Sequence, residues 1–444
     1  MAPLKTIKVA IDLTPMKPRG ENGGAKIFIL TLIQELAALS ENKYQYLLIT
    51  EAWNYEEIST LECSNVRCLR KSELITRASI FYYLSLAIKK VLLISVRVNY
   101  YLNQYLVRNK VSSLSDLEIT RKILNSPLIR LLVKLSYSDS VLQKKYDVNL
   151  LFCPFSAPNF LEKGLPVVST IYDLQHLDMP YFFTNSERIQ RDLFLLDLSK
   201  RVNSVVAISE FSRQTFLKYF DFPDKKTFAI PISIHHRLTP LPSSTVEKTL
   251  ENLNIDKRSY FFFPANFWPH KNHIRLIEAY SRYRSSQREN FLDLVFTGDI
   301  EKLESELKNI VYKSKYSSSI HFLGFLEQQE LIAVWQGCEV LIFPSLYEGF
   351  GIPLLEAMWF GKPIICSNIN SLVEVGGNAA LYFNPYDSEE IAKVMNIIDC
   401  DNSIKCELVK LGRERLSIFS KSSMAKSYLK VFEDLLQQFS LVIR

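Results

Sequence analysis

Twelve short apolar runs recur at helix-length spacing along this chain, and they constrain its fold more than any other feature. The first half holds KVAIDL from Lys8, YLLIT from Tyr46, NLLFCP from Asn149, PVVSTI from Pro166, SVVAIS from Ser204 and TFAIPI from Thr227. The second half holds YFFFPA from Tyr260, LDLVFTG from Leu292, IHFLG from Ile320, VLIFPS from Val340, PIICSN from Pro363 and LYFNP from Leu381. None alternates polar with apolar, so both faces of each strand should be covered, as in parallel sheets packed between helices. Amphipathic stretches such as Ile27 to Leu39 and Ser388 to Ile398 supply the helices. The pattern predicts an α/β chain of two doubly wound, Rossmann-like parallel-sheet domains. At 444 residues the chain is long enough for two cores. The domains are expected over 1–235 and 250–420, joined by a linker at Ile232 to Ser244 that carries Pro240 and Pro242. A helix over 421–444 is expected to pack back on the first domain. Ligands of such sheets bind beyond the carboxyl ends of the strands, here in a cleft that both domains would face.

Composition narrows the class. An apolar content of 48% with 23% charged residues belongs to a globular chain and excludes a disordered one. No run of about 18 uncharged apolar residues suggests a membrane span. No apolar leader follows Lys5 and Lys8 before Asp12. The seven cysteines are odd in number, several lie in strand-like runs, and none has metal-ligand spacing. They read as reduced thiols, which points to the cytoplasm.

One block departs from the rest. Lys71 to Lys145 carries thirteen Lys or Arg against four acidic residues, a net of +9 in a chain whose total is +6. Ala78 to Val98 and Leu128 to Tyr137 mix aliphatic, tyrosine and cationic residues at helical spacing. Two readings stand side by side: basic amphipathic helices on an anionic membrane surface, or helices that cover the first sheet with lysine heads in water. Nucleic acid is not expected as a partner, because no recognised binding module accompanies the charge.

Glycine is scarce at 13 residues, so its placement carries information. Three cluster between Gly20 and Gly24, and five fall at Gly349, Gly351, Gly361, Gly376 and Gly377. The richest string is YEGFGIPLLEAM, Tyr347 to Met358, which follows the run VLIFPS. Strand, glycine turn and helix start bring free backbone N–H groups and a positive helix end together, an arrangement that holds phosphate. Pro353 fits the first helical position, which would put Glu356 in the first turn and Glu348 ahead of the helix. The plainer reading is a tight turn and a helix-dipole carboxylate.

This string resembles the Glu-x7-Glu motif of retaining, nucleotide-sugar-dependent glycosyltransferases with the GT-B fold (family 4, or group 1). The resemblance continues through KPIICSN from Lys362, SLVEVGGNAALYFNP from Ser371 and DSEEIAKVM from Asp387. It covers most of the chain outside about Leu74 to Lys145. It implies two Rossmann-like domains and a nucleoside-diphosphate sugar as donor. Glu348 would steady the sugar and Glu356 the ribose, with Gly349, Phe350, Gly351 and Ile352 at the donor. In FFFPANFWPHKNH, Phe261 to His273, Lys271 matches the family's diphosphate-binding lysine. Asn266 stands where the family has arginine, a departure that Arg275 or Arg19 would have to offset.

Gly23 and Gly24 resemble the family's first glycine loop. Tyr172-Asp173 stands where relatives often have His-Asp, and His176 is either a substitute for that histidine or a surface residue. Ser209 is either a substrate contact or the N-cap of a helix that holds Ser212. The family's mechanism implies no metal cofactor, with Lys271 and helix ends serving the diphosphate. The acceptor would be a glycan or a lipid-linked sugar. Two other classes remain open: a catalytically degenerate GT-B binding module and a nucleotide-sugar epimerase.

Overall fold

The computed structural model describes residues 6–18, 22–74, 141–233, 235–256, 258–286, 291–299 and 305–442. They form two bodies: Met1–Ile230 together with Lys421–Arg444, and Pro231–Ser420. The fold is GT-B, each body a doubly wound parallel sheet.

In the N-terminal body the strands are β1 (Ile7–Asp12), β2 (Tyr44–Thr50), β3 (Val66–Arg70), β4 (Leu150–Cys153), β5 (Val167–Ile171), β6 (Ser204–Ala207) and β7 (Thr227–Ala229). They lie side by side as β3-β2-β1-β4-β5-β6-β7, all parallel. Val9 pairs with Tyr46 on one side and Leu150 on the other, and Val9, Ala10 and Ile11 are fully buried. One strand has no counterpart among the apolar runs. In β3 only Val66, Cys68 and Leu69 are buried while Arg67 and Arg70 reach solvent. An edge strand has one side uncovered, so the continuous apolar signature of a central strand is absent.

The last helix, Lys421–Val442, belongs to this body and packs on the helix Gly23–Leu39. Its Tyr428 ring lies 5.4 Å from Phe152 and 6.4 Å from Phe28, with its hydroxyl 3.3 Å from Thr170 Oγ1. Burying such aromatic bodies is the main contribution of this helix, with a cost of about 3–5 kcal/mol for truncating a buried Phe.

In the C-terminal body the strands are β8 (Tyr260–Pro264), β9 (Asp293–Thr297), β10 (Ile320–Phe322), β11 (Val340–Phe343), β12 (Ile364–Ser367) and β13 (Leu381–Phe383). Their order is β10-β9-β8-β11-β12-β13, again all parallel. Tyr260 to Phe263 are fully buried, as expected for a strand covered on both faces. The stretch expected to be the linker is tied to this body at Leu238 and Leu241. Leu238 is fully buried, the Trp359 indole donates to Leu238 O at 2.7 Å, and the Gln336 amide exchanges two hydrogen bonds with Leu241.

The basic block is described only at its ends, so the amphipathic helices expected in it lie outside the described residues. Among the described residues no helix is long and apolar enough to cross a membrane.

Candidate functional site

In the C-terminal sheet the strand order reverses between β8 and β11, with β9 and β10 on one side and β12 and β13 on the other. The loops leaving two such strands diverge and open a crevice at their carboxyl ends. Both loops carry charge. After β8 the chain makes a short turn, Pro269–Lys271, and Asn272 takes a left-handed conformation at φ 66°. Its Nδ2 donates to Pro344 O at 3.0 Å and Pro385 O at 2.8 Å, tying three strand ends together. Leu346 N donates to His270 O at 2.7 Å. These bonds bring Lys271 against Glu348, Nζ to Oε1 at 2.5 Å, with side chains 17% and 13% exposed. A pair this dehydrated is held by a charge-assisted bond, and removing one partner would strand the other.

The glycine turn ends at Gly351, whose φ of 106° only glycine adopts readily, and a Cβ there would lie 2.5 Å from Leu372. Phe350 is buried edge-on against Phe419 at 6.0 Å. The helix runs Ile352–Trp359 with Gly351 as its N-cap, so no side chain caps its first N–H groups. This corrects two expectations. Pro353 is the second helical residue, and Glu356 lies beyond the first turn because the left-handed glycine, not Ile352, ends the loop.

Glu356 is 4% exposed and its Oε1 accepts from Arg237 Nη2 at 2.6 Å. Burial pushes its carboxyl up, while Arg237 and Trp335 act against that. Arg237, on the short turn His235–Arg237, is the residue the sequence reading missed. It sits in the stretch assigned to the linker, and nothing in the local pattern pairs it with Glu356.

Other donor-side candidates serve the frame of the crevice. Asn266 is exposed and its Oδ1 accepts from Asp299 N at 3.1 Å, joining the loops after β8 and β9. Gly298 permits this approach, since a Cβ there would lie 2.7 Å from Ala265 O. Arg275 donates to Asn272 Oδ1 at 3.0 Å and Pro385 O at 3.4 Å, so it braces the Asn272 turn. Arg19 lies outside the described residues. His273 is buried among Phe263, Phe267 and Phe296, and burial pushes its pKa down to about 3. It is therefore neutral at physiological pH.

The remaining candidates belong to the N-terminal body, whose order reverses between β1 and β4. Gly23, at φ 50°, is the first residue of the helix Gly23–Leu39, and Gly24 follows it. Lys26, one turn on, is buried and paired with Glu57 at 2.6 Å. The Tyr172 hydroxyl donates to Pro154 O at 2.8 Å, and burial holds its pKa well above the usual value. Asp173 is exposed and its Oδ1 accepts from Gln175 N at 3.2 Å. His176 is not a surface residue. It is 2% exposed, with Nε2 3.3 Å from Asp192, because the turn Gln175–Asp178 folds it beneath the helix Asn185–Arg201. Ser209 is the N-cap of Glu210–Tyr219, accepting from Ser212 N at 3.0 Å, while Ser212 Oγ donates to Tyr172 O.

A second residue escaped the sequence reading. Asp12 ends β1 and is 1% exposed. It accepts from Thr14 N and Oγ1 at 3.0 and 2.7 Å and from Asn159 Nδ2 at 3.0 Å. Burial raises its pKa to about 6 against these bonds. A carboxylate closing a wholly apolar run was the available signal. Among the described residues no group of three His, Cys, Asp or Glu side chains is placed to hold a metal ion.

The chain is similar to known proteins. Residues 246–410 match the family model for glycosyl transferases group 1. O-antigen chain mannosyltransferase B of Escherichia coli is 25% identical over 238 residues, 54% of this chain and 61% of its own length. The serotype-specific mannosyltransferase WbdA of Escherichia coli is 30% identical over 254 residues, 56% of this chain and 31% of its own length. The matches thus span less than two thirds of either relative. Anabaena Alr3699/HepE, solved with UDP and glucose, superposes with a TM-score of 0.63 at 16% identity, covering 96% of this chain and all of that one.

Proposed function

We propose that the protein transfers a sugar from a nucleoside-diphosphate sugar to a glycan or lipid-linked acceptor, a reading supported by the match of residues 246–410 to the group 1 glycosyltransferase model and by the GT-B fold. The setting is cell-surface polysaccharide assembly on the cytoplasmic side of a membrane. The observation that carries this reading is the Lys271–Glu348 pair at the switch point of the C-terminal sheet. The names of the relatives support the polymer class.

In this mechanism Lys271 exchanges its partner when the donor arrives. The diphosphate takes the ammonium, and the Glu348 carboxylate turns to the sugar hydroxyls or to the positive charge that develops at the anomeric carbon. The uncapped N–H groups at Ile352 add a second positive edge to the phosphate site. Glu356, held by Arg237, offers the ribose a fixed acceptor. The sugar is transferred with retention, the departing phosphate oxygen taking the proton of the attacking hydroxyl, and no metal ion is required. The N-terminal body serves the acceptor. Tyr172, with its pKa pushed upward, keeps its proton near neutral pH and so orients groups there without acting as an acid or base. Asn266, standing where the family has a cation, favours one second reading, a binding module without turnover.

Incubating the chain with GDP-mannose or UDP-glucose and a lipid-linked oligosaccharide acceptor separates the readings. Release of nucleoside diphosphate with an α-linked product by proton NMR is expected from an α-linked donor. Nucleotide binding without any release would establish the binding module.

A further inference from the structure

One cavity lies away from the switch-point loops. It encloses about 540 Å³ between the helix Asn402–Leu416 and the residues that lead into β11 and β12. Cys338 and Glu339 precede β11, and Lys362 and Pro363 precede β12, so the cavity is at the amino ends of both strands, opposite the carboxyl end of β11 that leads to Glu348. Its lining carries Lys362, Lys405, Lys410 and Arg413 against Glu339 and Glu414.

The cations are positioned by the fold. Gly361, at φ 63°, lets the helix approach so closely that a Cβ would lie 3.3 Å from Arg413 Nη2. Lys362 Nζ donates to Gln336 O and Cys338 O, both at 2.7 Å, which fixes one cation in the wall. Among the described residues Lys405, Lys410 and Arg413 enter no ion pair. The four cations of this lining outnumber its two carboxylates, so an anion in their midst lowers the repulsion among them. A guanidinium beside two ammonium groups suits phosphate oxygens, which accept from both the planar fork and point donors.

We propose that this cavity is a second anion site, distinct from the donor crevice, and that it takes a phosphate-bearing ligand. The phosphate belongs either to a soluble phosphate ester or to an anionic lipid headgroup.

Cys406 lines the cavity and is exposed, whereas Cys400, also exposed, does not line it. Alkylation of the full chain by iodoacetamide, read by peptide mass spectrometry, therefore reports on the cavity at one thiol with the other as control. Millimolar inorganic pyrophosphate, or vesicles of phosphatidylglycerol and phosphatidylcholine, should slow Cys406 alkylation at least threefold without changing Cys400. Lys271→Ala should retain this protection, which separates it from the donor crevice. Joint replacement Lys405→Gln, Lys410→Gln and Arg413→Gln should abolish it, and Arg413→Gln alone should weaken it in a chain that melts as wild type does. Protection by pyrophosphate alone identifies a soluble ester, and protection by anionic vesicles alone identifies a headgroup. If neither probe protects Cys406, or if the triple replacement leaves protection intact, the site does not exist.

Discussion

The two sheets have the same topology at their switch points but opposite chemistry there. In the C-terminal body the loops after β8 and β11 present an ion pair, Lys271 with Glu348, beside an uncapped helix start. In the N-terminal body the corresponding position holds Asp12, wrapped in hydrogen bonds from Thr14 and Asn159. The cations there are already committed, Lys26 to Glu57 and Lys71 to Glu51. One body thus pairs a loop cation with a carboxylate from the neighbouring loop, and the other presents a buried, hydrogen-bonded carboxylate at its strand end. Topology supplies the crevice, but the residues at the strand ends decide what enters it.

The largest effect expected from breaking this contrast is at Arg237. Arg237→Ala leaves Glu356 buried and uncompensated, so unfolding of the C-terminal body should become easier by about 3–5 kcal/mol. Denaturant titration followed by tryptophan fluorescence measures this. The pair Arg237→Met with Glu356→Gln should lose clearly less, since no stranded charge remains.

A smaller effect of opposite sign is expected in the other body. The folded-state pKa of Asp12, raised to about 6 from 3.8, means that the folded chain binds the extra proton between those values. Stability contributed at this group is therefore highest below about pH 4 and is lost as the pH rises towards 6. Asp12→Asn should flatten that slope and stabilise the N-terminal body at pH 7 by about 1–3 kcal/mol. Urea melts at pH 4, 5, 6 and 7 would show it, and identical pH slopes in both chains would refute it. Ser209→Ala should cost about 0.5–2 kcal/mol through loss of the cap, with little effect on nucleotide affinity. The smallest expected effect is that of chelation. Turnover should persist in EDTA, and a loss restored by magnesium or manganese would contradict the role given to Lys271.

How far the sequence reveals this arrangement depends on whether a signal is local. Central strands were legible because burial on both faces leaves an unbroken apolar run, whereas β3, at an edge, is interrupted by the exposed Arg67 and Arg70 and was invisible. Glu348 and the glycine turn stand out because strand, loop and helix start are consecutive in sequence, whereas Lys271 stands out only through the resemblance of its loop to the family's. The Arg237–Glu356 bond could not, since its partners are 119 positions apart and a proline-rich stretch hid the arginine. His176 shows the converse. A lone histidine after a strand reads equally as ligand or surface, and only packing beneath the helix Asn185–Arg201 makes it a core residue.

In the proposed function the C-terminal switch point holds a diphosphate through Lys271. Calorimetric titration of wild type and Lys271→Ala with UDP and GDP tests it most directly. At least one nucleotide should bind wild type, and the substitution should weaken it by about 1–3 kcal/mol, the cost of losing a charged hydrogen bond. Equal affinity in the two chains would show that the diphosphate is held elsewhere and that the Lys271–Glu348 pair is only structural.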